Sequence, residues 1–406
     1  MSVDAQLLSR YRQSSWWSWL ALTGVVTFAV VMSIMVGQER SVTPAYQSAV
    51  VHWFAGEPLY SMEGHGFLYL PQAALTFAPW AMLPHSASEL VWRWCMIGVL
   101  AASCIRLTRL LGGDERWFFA ISASSVVLAW GCARNGQSTL LITGLMILAA
   151  ADLSEARWWR ATLLLSLAFA FKPLAIVMIL LAGAVYPRMS WRLVIGLLFV
   201  AFVPFLTQRP DYVISQYRAC VQNLEITFEV GETGLWAQFF GMLQVVGIEF
   251  PSAVRTGIRL FAAVATLFAC WKASRSLSPE RSAFYLFSFA SCYLMLFNSR
   301  TEGNTYTMIG PVYGALLAEA AFRLKNRTAT AWMIAAVVLT VANYELAVLV
   351  TPRPKAIWIS PLVCVGVTGY LILRLVQDMR SVSLRDQATA DENSPSLQET
   401  SAKTAA

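Results

Sequence analysis

The stretch Asn298-Ser299-Arg300-Thr301-Glu302-Gly303-Asn304-Thr305-Tyr306 sets a cation, a carboxylate, an amide and a phenol between two apolar runs. A guanidinium can fork onto phosphate, and a carboxylate can accept a proton or orient hydroxyls. A solvated loop would account for the same residues without chemistry. A second cation, Lys172, stands in Phe171-Lys172-Pro173 inside an apolar run. A cation at the bilayer centre costs about 2.5–3.5 kcal/mol, so such a residue faces a polar cavity, unless its stem lets the ammonium reach the headgroups. The proline removes a backbone donor and breaks the helix, which supplies an opening where a lipid-linked phosphate suits the charge. Arg134-Asn135-Gly136-Gln137 interrupts a third apolar stretch. Gly and Asn are what a turn needs; Arg134 and Gln137, side by side at membrane depth, are more than a turn needs.

Other polar residues point less sharply. His52, His65 and His85 fall in or just after one segment, about 38–84, at spacings that match no metal motif. They read as interfacial histidines or as groups positioning a sugar or phosphate. Glu39, Glu57 and Glu63 are the acids of that segment, and one lying just past the first apolar run could serve as a base. A single carboxylate of this kind is more often a solvated charge. The seven cysteines include no C-x-x-C pair and mostly lie in apolar runs, as small buried hydrophobes do. With no Asp-x-Asp and no His/Cys cluster, neither a metal nor a cofactor is expected, and chelator-sensitive activity would contradict that expectation.

The elements that position these groups follow from composition. The 406 residues are 57% hydrophobic and 13% charged, about half the charge of an ordinary soluble domain. That excludes a soluble enzyme, a nucleic-acid-binding module and a disordered scaffold, and predicts an all-α polytopic membrane protein. Apolar runs lie at about 16–37, 89–111, 117–133, 138–153, 161–186, 191–206, 254–272, 282–297, 305–321, 330–350 and 356–376, with weaker ones near 67–84 and 235–248. The first is too long for a signal-peptide core and reads as a retained anchor. Taking 161–186 as a hairpin broken at Pro173, and the two weaker runs as lying at the outer face, gives about twelve crossings with both termini cytoplasmic. Most of the 30 Lys and Arg then fall on the cytoplasmic side, as the positive-inside rule requires.

In that arrangement residues 1–379 form the integral domain, with outer segments at 38–84 and 207–250. Residues 380–406, Ser/Thr/Ala/Glu-rich and without apolar period, form a disordered cytoplasmic tail. Within the first outer segment Tyr46, Ala49, Val50 and Trp53 recur at helical spacing between Thr43-Pro44 and Gly56, which suits a short interfacial helix. The second repeats the pattern with Val213, Tyr217, Cys220, Val221 and Leu224.

A set of short motifs then carries a resemblance. They are Tyr46-x-x-Ala49, Trp53-x-x-Gly56-x-x-Leu59-Tyr60, Phe67-x-Tyr69-x-Pro71, Phe77-x-Pro79, Leu83-Pro84, Gly136-Gln137, Lys172-Pro173 and the Arg300-to-Tyr306 string, in that order over about residues 40–310. In these the chain resembles glycosyltransferase family 87, which includes polyprenyl-phosphate-mannose-dependent mannosyltransferases. The resemblance implies a C-type glycosyltransferase bundle with outer interfacial helices and a lipid-carrier cavity. It also implies transfer of a hexose from a polyprenyl-phosphate donor, in the plasma membrane of a bacterium, on the non-cytoplasmic face. The family places an aspartate base about four residues before the tyrosine matching Tyr46; Val42 stands there in this chain, and the nearest acid upstream is Glu39. The family's Tyr-Pro-Pro is Tyr69-Leu70-Pro71 here.

The expected site is therefore Glu39 or Glu302 as base and Arg300, Lys172 and Arg134 on the donor phosphate. Gln137, Asn304, Tyr306, Tyr60, Tyr69 and His65 would contact substrate. The partners are a polyprenyl-phosphate sugar, a lipid or glycan acceptor and the membrane lipids, with no nucleic acid. Two other readings remain at this point: a transporter of lipid-linked sugars, and a non-catalytic binder of the lipid carrier, to which Val42 lends weight.

Overall fold

The computed structural model describes residues 3–37, 40–60 and 67–393. The described chain is helical throughout, with no strand among the described residues. In chain order the helices are α1 (Val3–Val36), α2 (Thr43–Ala55), α3 (Gln72–Ala81), α4 (His85–Leu110), α5 (Glu115–Arg134), α6 (Thr139–Ser154), α7 (Trp158–Phe171), α8 (Ile176–Val185), α9 (Pro187–Phe202), α10 (Pro210–Thr233), α11 (Phe239–Val245), α12 (Ser252–Ser276), α13 (Pro279–Phe297), α14 (Gly310–Ala318), α15 (Arg327–Val341), α16 (Asn343–Ala347) and α17 (Ile359–Asn393). Lipid offers backbone groups no partner, so a chain this apolar satisfies them within helices.

Among the described residues, six helices are long and apolar enough to cross a membrane: Ala5–Val36, His85–Leu110, Glu115–Arg134, Pro187–Leu206, Ser252–Ser276 and Ile359–Leu384. Thr139–Ser154, Trp158–Phe171, Pro173–Val185 and Arg327–Val341 are shorter apolar helices. The protein is an all-α integral membrane protein. Helices α3 and α11, with ten and seven residues, span roughly 15 and 10 Å at 1.5 Å per residue, well short of a hydrocarbon core of about 30 Å. Helix α17 carries past Arg380, where the sequence places the start of a tail, to Asn393.

Close packing uses small residues, since apolar bulk gives helices in lipid no preference for one another. Helix α5 lies against α1 and α14. On α14, Gly310 and Gly314 are one turn apart, and a Cβ at Gly314 would sit 2.5 Å from the Ile121 Cα of α5. Gly144 does the same for α6 against α4, where a Cβ would lie 3.2 Å from the backbone of Val99.

Residues 158–185 form the broken hairpin that Pro173 predicts. Helix α7 stops at Phe171, Lys172 is extended, and a 3-10 turn over Pro173–Ala175 starts α8. The far ends meet again, with the Trp158 and Tyr186 rings 6.0 Å apart, so Lys172 sits at the apex.

Ion pairs mark the end of the bundle away from that apex. Asp152, buried at the foot of α6, faces Arg160 at 3.3 Å, while Glu155 pairs with Arg106 and, at 2.7 Å, with Arg157. Arg281 at the start of α13 pairs with Glu319 and with Asp378 at 2.6 Å; Arg374 meets Asp378 at 2.9 Å. These arginines, far apart in the sequence, are thereby gathered at one end of the bundle.

Candidate functional site

At the other end, the starts of α2, α6 and α8 and the end of α13 surround a cavity of about 620 Å³. Its polar wall holds Ser41, Tyr69, Gln137, Lys172, Asn298, Ser299, Arg300, Glu302 and Thr305. Its apolar wall holds Val42, Leu174 and, from α10, Leu224 and Phe228. Charged groups from two distant parts of the chain, Lys172 and the Arg300–Glu302 segment, thus share one space beside the broken hairpin.

Local structure explains how each arrives. Pro173 cannot continue α7, so Lys172 leaves the helix with φ −156° and ψ 132°. Its Nζ donates to Thr139 Oγ1 at 3.0 Å and lies 5.9 Å from the Tyr69 ring centroid. The turn between α5 and α6 uses Gly136 at φ +67°, a conformation that costs glycine little. The next residue, Gln137, then reaches across to donate its Nε2 to Glu302 Oε2 at 3.0 Å. Arg300 lies over the Trp236 ring, 4.7 Å from its centroid, which leaves its planar edge available for hydrogen bonding.

The segment after α13 is laced to residues 236–238. Ala237 N–H donates to the Thr301 carbonyl at 2.9 Å, and Tyr306 OH donates to the Ala237 carbonyl at 3.1 Å. Tyr69 is held from two sides: Tyr46 OH bonds its hydroxyl at 3.0 Å, and Tyr60 OH donates to its carbonyl at 2.6 Å. Burial pushes the Tyr69 phenol well above its usual range, and neighbouring Tyr46 and the Glu302 charge add to this. Tyr69 therefore stays protonated, able to donate as well as accept.

The structure brings together Lys172, Arg300, Glu302, Gln137 and Tyr69 of the residues singled out by sequence. Arg134 does not line the cavity; its Nε turns to Asn135 Oδ1 at 3.3 Å. Asn304 points its amide at Gly131 on α5, Tyr306 is buried on Ala237, and Tyr60 supports Tyr69 from behind. Glu39 and His65 lie outside the described residues. Sequence reasoning missed Ser41 on the wall, gave no individual role to Asn298, Ser299 and Thr305 within the stretch it singled out, and missed the buried pair Glu89–Arg93 behind the wall. Two opposite charges one turn apart near the start of an apolar run were the available signal for that pair.

Among known protein families, glycosyltransferase family 87 matches residues 67–299, more than half of the chain. The chain belongs to glycosyltransferase family 87. No curated protein matches it. Family membership makes this protein a membrane glycosyltransferase, which takes a sugar donor and an acceptor in the membrane. The matched region holds the hairpin apex, the Gly136 turn, Tyr69 and the segment up to Ser299; Arg300 and Glu302 follow directly after its end. Val42 lines the cavity as well, and Glu302 is the carboxylate on that wall among the described residues.

Proposed function

We propose that this family 87 protein transfers a mannose-like hexose from a polyprenyl-phosphate donor to a lipid or glycan acceptor on the non-cytoplasmic face. The observation that carries the proposal is the meeting of Lys172, Arg300 and Glu302 in one cavity beside a broken membrane hairpin. Two cations suit a phosphate diester whose departure as a monoester adds negative charge; charge-assisted bonds to that group strengthen as it leaves. Glu302, oriented by Gln137, accepts the acceptor's hydroxyl proton while the acceptor oxygen attacks the anomeric carbon. The bond from that carbon to the phosphate oxygen breaks in the same displacement, which inverts the centre. Tyr69 offers a neutral hydroxyl to the sugar, and Glu39 is the rival base, which Glu39→Gln measured beside Glu302→Gln tests.

The gathering of arginines at the far end supports the orientation, since that end faces the cytoplasm by the positive-inside rule. The proposal includes a C-type bundle of about twelve crossings, completed by the shorter helices, in a bacterial plasma membrane. It is tested by steady-state kinetics of Lys172→Met and Arg300→Met on polyprenyl-phosphate mannose in nanodiscs. Each loses a charge-assisted contact of about 1.5–3 kcal/mol, so kcat/KM for the donor should fall about tenfold or more. Wild-type kcat/KM in both variants would remove the phosphate from this cavity.

A further inference from the structure

Glu89 and Arg93 stand one turn apart on α4, each 1% exposed, with Arg93 Nη1 2.5 Å from Glu89 Oε2. Neither lines the cavity. A pair this deep gains little stability over apolar residues of the same volume, so the bonds it makes elsewhere are informative. Arg93 Nε and Nη2 donate to the Arg134 carbonyl at 3.2 and 2.9 Å. Nη2 also donates to Ser41 Oγ at 3.1 Å, and Ser41 Oγ donates back to Glu89 Oε2 at 3.0 Å.

The two carbonyls after Arg134 are held as well. Val42 N–H donates to the Asn135 carbonyl at 3.0 Å, and the buried Trp92 donates Nε1 to the Gly136 carbonyl at 2.8 Å. Three successive carbonyls of one turn are thus fixed immediately before Gln137, whose amide holds Glu302. The arrangement fits only around a glycine: a Cβ at Gly136 would lie 2.7 Å from Thr43 Oγ1 and 3.0 Å from Arg93 Nη2.

We propose that Arg93, with Glu89 as its buried counter-ion, is a positioning residue for glycosyl transfer. It locks the 134–137 turn to the 41–43 segment and so sets the Gln137–Glu302 contact on the cavity wall. This rests on the reading of Glu302 as base. The lock asks for a planar fork, since a lysine would give Glu89 a charge but could not grip the Arg134 carbonyl with two parallel donors.

The test is a kinetic cycle on full-length protein in nanodiscs, with radiolabelled polyprenyl-phosphate mannose and a total membrane-lipid extract as acceptor. The variants are Glu89→Leu/Arg93→Met, Arg93→Lys, Gln137→Ala, the triple combination and Glu302→Gln. Replacing the whole pair by apolar residues keeps the fold, and Arg93→Lys, which leaves Glu89 paired, is the second route should that variant not fold. The expected result is a kcat about 10- to 100-fold lower for the pair variant, as a misplaced reacting group gives. The donor KM stays within about threefold of wild type, Arg93→Lys is intermediate, and adding Gln137→Ala lowers kcat no further. A purely structural role would lower the folded fraction and leave kcat per folded molecule alone. Wild-type kcat in the folded pair variant, or in Arg93→Lys, overturns the proposal, as do multiplying effects in the triple variant. If those variants are active while Glu302→Gln is dead, the lock alone fails; if Glu302→Gln is active, the base reading and the lock fail together.

Discussion

Replacing Glu302 by glutamine removes a charge and keeps the side chain's shape. The amide oxygen of the new residue can still accept from Gln137 Nε2, which sits 3.0 Å from Glu302 Oε2, so the loop from Thr301 to Thr305 should hold its place. What disappears is the proton acceptor. General base catalysis contributes about 10²–10⁴-fold, or about 3–5 kcal/mol of activation free energy, so kcat should fall by that factor. The donor KM should fall or stay unchanged. Lys172 and Arg300 share the cavity with Glu302, and removing the anion leaves their field on the phosphate uncompensated. Glu302→Asp, which keeps the charge but retreats by one methylene from Gln137, should fall between glutamine and wild type. The assay is label transfer from polyprenyl-phosphate mannose, with kcat and KM measured separately. A Glu302→Gln enzyme within about threefold of wild type in kcat would refute the reasoning and pass the role to Glu39. A raised donor KM with unchanged kcat would instead make Glu302 a binding group.

Two further outcomes concern the scaffold. Gly314→Ala puts a methyl 2.5 Å from the Ile121 Cα, a backbone atom that cannot turn aside, so stability should fall by about 1–3 kcal/mol; unchanged unfolding in detergent would contradict the close α5–α14 approach. Arg281→Met takes one cation from the buried Glu319, which keeps Arg374 at 3.4 Å and Arg323 at 3.5 Å, and from Asp378, which keeps Arg374 and the Tyr285 hydroxyl, at a cost of about 1.5–3 kcal/mol, read as a lower Tm; a loss under about 1 kcal/mol would show that the network is screened by water.

The sequence makes the positions of the site's breaks legible and leaves their directions hidden. A proline after Lys172 inside an apolar run has few outcomes other than a broken helix with the lysine at the break. Gly136 likewise marks the turn that turns α5 into α6. Along Asn298–Tyr306, by contrast, neighbouring side chains go to different places. Thr305 faces the cavity, Asn304 lies on Gly131, and Tyr306 reaches the Ala237 carbonyl. That sorting depends on the 3-10 turn beginning at Gly303 and on segment 236–238, which no local pattern announces. Glu89–Arg93 hides for a related reason. On a helix, opposite charges one turn apart ordinarily mark a solvated face, and only the arrival of the 134–137 turn buries them. Gly310 and Gly314 carry a small-xxx-small spacing, but their partners on α5 lie almost two hundred positions earlier. Polar residues break apolar runs visibly, whereas which group meets which is settled by helices far apart in the chain.

The central claim is chemical, that a sugar moves from a lipid phosphate through the cavity of Lys172, Arg300 and Glu302. The most direct measurement is a single-turnover transfer assay on wild-type protein in nanodiscs with polyprenyl-phosphate mannose labelled in the sugar and a total membrane-lipid extract as acceptor. The account predicts label in a new lipid or glycan, stoichiometric release of polyprenyl phosphate, and loss of both with Glu302→Gln. Saturable donor binding with the labelled lipid recovered unchanged, across acceptor extracts, would contradict it and make the cavity a site for binding or carrying the lipid.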